Sequence, residues 1–172
     1  MVSKRELDEV EQVAGAVWEL LASAVQATIE MRSHEPAREC AREFLDIDAS
    51  AAPDDSSGPA QVLATMTLIR RLTVVREETA DRPQRVEEVL AWVADTLGRR
   101  YAARARYVAG ALESETGAAE VTDARRALQE EFLPALIWLL AGGVALYGEG
   151  RLDWLRERET DEPSVTSLLT DD

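Results

Sequence analysis

Apolar positions in the first thirty residues recur three and four apart. Val10, Val13, Ala14, Val17, Leu20, Leu21, Ala24, Thr28 and Met31 share one face, and Glu9, Glu11, Glu19 and Glu30 lie mostly off it. Ser3 followed by Glu6 is the S-x-x-E pattern of a capping box, so a helix is expected over 4–32. The run Arg32-Ser33-His34-Glu35-Pro36 interrupts the period, and a proline suits the first turn of a new helix. A shorter helix over 36–47 follows, burying Ala37, Cys40, Ala41 and Phe44. The helical period resumes over 61–79 through Val62, Met66, Ile69, Leu72 and Val75. After Asp81-Arg82-Pro83 a long helix is expected over 83–114, its stripe running through Val86, Val89, Leu90, Val93, Leu97, Tyr101, Val108 and Leu112. Gly117 reads as a terminator and Thr122 as the next cap. A last short helix over 151–159 carries Leu152, Trp154 and Leu155.

One stretch departs from this amphipathic pattern. Phe132 to Tyr147, FLPALIWLLAGGVALY, has no charge anywhere around the helix. Its sixteen residues make a helix of roughly 24 Å, shorter than the ~30 Å core of a bilayer. The expected role is a central helix buried on all sides. Pro134 either kinks it or marks a restart, and Gly142-Gly143 permits a neighbouring backbone to approach closely. The predicted fold is all-α: an irregular antiparallel bundle of five or six helices around this central apolar helix. A single helical domain spans 1–159, with the small acidic stretch 48–59 as a mobile loop and 160–172 as a flexible acidic tail. No internal repeat with a period of 20 to 50 residues is present.

Charge narrows the range of partners. With 33 acidic against 19 basic residues the net charge is −14, which opposes direct DNA binding and anionic membranes. RNA contact is expected only within a larger complex. A lone cysteine, Cys40, excludes an intrachain disulfide, and no secretory pattern opens the chain, so a cytoplasmic location is expected. His34 is the only histidine, which leaves too few nitrogen and sulfur ligands for a metal centre. The expected cofactor is none, and His34 is expected in solvent at its turn.

Two sets of residues remain as candidates. Arg104 falls on the apolar stripe in line with Val93, Leu97 and Val108, where a guanidinium must be paired, with Glu131 as the proposed partner. The sharper alternative has Arg104, Trp138 and Tyr147 lining a pocket for an amphipathic anion. Trp18 and Trp92 lie on the flanks of their stripes, and with Arg99, Arg100 and Tyr107 they form a candidate interaction surface. Asp95 and Arg99 have the spacing of a weak helical ion pair. The function expected from these features is that of a non-catalytic acidic helical subunit or adaptor. It would work by protein–protein contact and self-associate. A ligand-sensing bundle is the alternative, and an accessory subunit of a larger ribonucleoprotein or enzyme complex is a third reading.

Overall fold

The computed structural model describes residues 3–51, 58–114 and 117–155. Among them are seven α-helices: α1 Lys4–Met31, α2 Glu35–Ala51, α3 Pro59–Glu78, α4 Arg85–Thr96, α5 Arg99–Glu113, α6 Ala118–Leu128 and α7 Phe132–Tyr147. A 3-10 turn, Gln129–Glu131, joins α6 to α7. The fold is all-α, and α7 packs against each of the other six helices. Every residue from Phe132 to Val144 is buried, as expected for a helix apolar all round. By length and composition alone Ala118–Tyr147 is apolar enough to cross a bilayer, and 72% of its most apolar window is buried inside the bundle.

Local chemistry accounts for most of the boundaries. The capping box forms: Ser3 accepts from the Glu6 amide at 3.2 Å, and the Glu6 carboxylate accepts from the Ser3 amide at 2.7 Å. The buried face of α1 is Val17, Trp18, Leu21, Ala24, Val25 and Thr28, whereas Val13 and Met31 of the expected stripe are 54% and 66% exposed. Helix α1 has 28 residues, about 42 Å, against 17 residues, about 26 Å, for α2. Its first turn therefore reaches past the end of α2.

Three expectations need correction, and the open choice at Pro134 is decided. The helix expected to end at 47 continues to Ala51, because Asp48 lies inward, 3% exposed, and ties α2 to α3. Its Oδ1 accepts from the Ala60 amide at 2.8 Å and its Oδ2 from the Gln61 amide at 3.0 Å, capping a helix whose own cap residue, Gly58, has no side chain. The rest of the expected loop, 52–57, lies outside the described residues, as do the end of the expected helix 151–159 beyond Leu155 and the tail 160–172. The single helix expected over 83–114 is two. Gly98 adopts φ +128°, which breaks the ladder between Thr96 and Arg99. Asp95 and Arg99 thus stand in different helices, without the (i, i+4) geometry. Thr122 lies inside α6 and bonds back to the Ala118 carbonyl at 2.8 Å. Pro134 marks a restart: the chain breaks at Gln129, φ +46°, and the proline occupies the first turn of α7, where its missing N–H has no intrahelical partner to lose.

Gly142 and Gly143 set how closely the bundle closes. A Cβ on Gly142 would lie 2.9 Å from Val89 Cγ1, and one on Gly143 would lie 3.0 Å from Val75 Cγ1. Helices α3 and α4 therefore approach the backbone of α7, and the space between them is defined by side chains further out.

Candidate functional site

Two places gather chemistry. The first is built on Tyr101 in α5. His34, in the α1–α2 turn, stacks on its ring with centroids 4.2 Å apart and planes 17° from parallel. The Tyr101 hydroxyl lies 3.1 Å from His34 Nε2, which is also 2.9 Å from Glu35 Oε1. Trp138 of α7 meets the same ring edge-on at 5.1 Å. The guanidiniums of Arg38 and Arg104 lie 5.3 and 5.8 Å from its centroid, within cation–π range. His34 is thus part of a packed cluster, because the α1–α2 turn folds over α5.

Glu131, at the end of the 3-10 turn, stands between those two arginines. Its Oε1 accepts from Arg38 Nη2 at 2.8 Å, and its Oε2 lies 3.2 Å from Arg104 Nη1. The pairing of Arg104 with Glu131 is the one expected from the stripe position, and Arg38 is an addition. The Arg104 contact is an ion contact without hydrogen-bond alignment: neither Arg104 Nη1 nor Glu131 Oε2 has a hydrogen-bond partner among the described residues. The fully buried Trp138 Nε1 and the buried Arg38 Nε are also without one there. These side chains are held by rings and charge, and the arrangement clamps α2, α5 and the start of α7 together.

The second place is a cavity of about 130 Å³ between α3, α4, α5 and α7. Ile69, Leu72, Val86, Val89, Leu112 and Leu139 supply apolar walls, and Tyr147 closes one side. The exposed members of its lining are Thr73, Arg76 and Glu113, which mark the mouth. Arg85, at the start of α4, stands beside them with 19% of its side chain exposed. Its Nη2 reaches both oxygens of Glu113 at 3.3 Å, while Arg76 Nε is 3.8 Å from Glu113 Oε2. The Tyr147 hydroxyl donates to Glu88 Oε2 at 2.7 Å, and Arg82 lies 5.1 Å from its ring centroid. Burial first, and then the bond to Glu88 and its charge, push the Tyr147 phenol up to about 12, so it remains a donor at neutral pH.

The expected pocket residues are therefore separated. Tyr147 lines the cavity, whereas Arg104 and Trp138 belong to the Tyr101 cluster, which faces a different group of helices. Of the expected interaction surface, Arg99, Arg100 and Tyr107 are exposed. Trp18 is only 9% exposed and lies under Arg71, whose Cζ is 3.8 Å from its ring centroid, so the expectation of a presented tryptophan there is corrected. Trp92 is half-buried, its Cε3 within 3.2 Å of where a Gly142 Cβ would stand. Arg106, on the outer face of α5, pairs in bidentate fashion with Glu87 at 2.8 and 2.9 Å and holds that carboxyl below the usual range. Cys40 is buried and its thiol is pushed up to about 12 by burial and the nearby Glu43 charge, which makes it inert as a nucleophile. No three His, Cys, Asp or Glu side chains converge among the described residues. No protein-family model matches the chain, and neither a curated protein nor a solved structure is similar enough to match it, so a functional reading rests on this geometry.

Proposed function

We propose that the protein is a non-catalytic helical module that binds a small apolar molecule in the cavity between α3, α4, α5 and α7. The observation that carries this reading is the cavity itself, walled mostly by aliphatic side chains from four helices, with the buried Thr79 hydroxyl spent on the Val75 carbonyl and the charged groups gathered at its mouth. Its volume, about 130 Å³, is close to that of an engineered apolar cavity of ~150 Å³ that takes up benzene. Ligand occupancy would bridge helices distant in sequence and stabilise their packing. The test is a titration with benzene, followed by methyl and amide resonances of α3, α4, α5 and α7. Saturable shifts confined to the lining are expected, and they should vanish in Ala109→Leu, which fills the space from the buried α5 wall while leaving the melting temperature unchanged or higher. Absence of saturable shifts in the parent protein overturns the proposal.

A second reading, action by protein–protein contact and self-association, draws support from the α1–α2 seam. Cys40 Sγ lies 3.7 Å from the Leu20 carbonyl, fixing the level at which these helices cross. Seven residues further along each, toward the same end, stand Val13 and Ile47, 54% and 48% exposed. Sedimentation analysis of the parent protein and of Val13→Glu/Ile47→Lys tests it. A monomer at all concentrations removes self-association through this seam.

A further inference from the structure

We infer that the cavity ligand carries a carboxylate on a short hydrocarbon body, and that Glu113 holds the place of that carboxylate until the ligand arrives. This rests on the cavity-binding reading and adds the chemical class of the ligand.

The mouth is built for an anion. Arg76 and Arg85 both line it, and Arg82 stands over the outer ring of Tyr147. Glu113 at the mouth pairs with both Arg76 and Arg85, and Glu88 holds the Tyr147 hydroxyl. An apolar ligand without charge would leave Arg76 and Arg85 to Glu113, whereas a carboxylate at the mouth could take them as fork-shaped partners in its place.

Glu113 is poorly held in this position. A single Arg85 nitrogen serves both of its oxygens, each at 3.3 Å, and Arg76 is further away at 3.8 Å. Charge-assisted bonds of good geometry are ~2.7–2.9 Å, so the pairing is loose. Among the described residues Arg85 uses only Nη2 of its three nitrogens, leaving Nε and Nη1 for a second acceptor. Glu113 is also the last residue of α5, with 37% of its side chain exposed. A carboxylate at a helix C-terminus is opposed by the helix dipole, and this one can swing into water without unfolding a turn. The exchange conserves charge: the ligand's carboxylate enters the guanidinium pair, and that of Glu113 becomes solvated. No proton moves. The hydrocarbon body then occupies the aliphatic walls, and ~130 Å³ accommodates about six carbons.

Hexanoate and hexanol separate the contributions, measured by calorimetry on the full chain and on Glu113→Gln. Hexanoate is expected to bind the parent more tightly than hexanol. Removing the internal competitor should tighten hexanoate about tenfold and leave hexanol unchanged. Arg85→Gln should abolish the preference for hexanoate while hexanol still binds. Equal or stronger binding of hexanol, unaffected by Glu113→Gln, overturns the carboxylate inference and leaves the apolar cavity reading standing. If neither probe binds either protein, both readings fail.

Discussion

Arg104 Nη1 lies 3.2 Å from Glu131 Oε2 across the junction of α5 with the 3-10 turn that leads into α7. Both side chains are mostly shielded, at 22% and 27% exposure, so the contact is stronger than a surface pair and still not a fully buried one. Arg104→Ala should cost about 1–2 kcal/mol, a fall of about 3–6 °C in melting temperature. Glu131→Gln should cost more, about 3 kcal/mol, because it leaves Arg38 and Arg104 facing each other without a countercharge. Thermal melts of both variants decide it: equal melting temperatures for parent and Arg104→Ala would remove the structural role of this pair.

Asp48 performs the capping that Gly58 cannot. Loss of both amide bonds in Asp48→Ala should destabilise the protein by about 1–2 kcal/mol, and Asp48→Asn, which retains one acceptor, by less. Amide exchange at Ala60 and Gln61 should accelerate selectively in both variants. Uniform acceleration across α3 would show that the cap does not act locally.

Gly142→Ala introduces a methyl group 2.9 Å from Val89 Cγ1, within a layer already buried on α7. The expected cost is about 1–3 kcal/mol, even though alanine favours helix over glycine by ~1 kcal/mol. Val89→Ala in the same chain should recover part of the loss by opening room for the methyl. Without that recovery, the close approach of α4 to α7 is not what position 142 requires.

Two groups tie stability to alkaline pH. Cys40 is raised from 9.0 to about 12 by burial first and the Glu43 charge second. Tyr147 is raised from 10.0 to about 12 by burial first and its bond to Glu88 second. For each, the fold favours the protonated form, so the stabilisation is complete below the unfolded-state value and lost as pH rises from there toward about 12. Urea midpoints should fall between about pH 8 and about pH 11, and the fall should be shallower in Cys40→Ala and in Tyr147→Phe. Reaction of Cys40 with a thiol reagent at neutral pH should be slow in the folded protein and fast in urea.

The place of Arg104 was legible in the chain because a cation on an apolar stripe must find an anion, and Glu131 opens the apolar segment that the stripe packs against. The partners that complete the cluster were hidden. Arg38 and His34 come from α2 and the preceding turn, and nothing in their own neighbourhoods indicates that this turn lies over Tyr101. The break at Gly98 had a local signal, a glycine between two turns of the stripe. The apolar period continues across it, so periodicity alone joins α4 and α5 into one helix. Trp18 looks like a flank residue on its own wheel, yet α3 places Arg71 over its ring and makes it core.

Sequence alone determined the all-α class, the approximate placement of most helices, the capping box at Ser3 and the central position of Phe132–Tyr147, because each follows from contacts within a few turns of one segment. Tertiary structure decided where the layers fail to fill space. The cavity is a volume left between four helices whose spacing depends on Gly142, Gly143, Val75 and Val89 together. Its charged mouth joins the end of α3, the start of α4 and the end of α5. Such a void has no periodic signature in the chain, since it arises from the mutual approach of side chains distant in sequence.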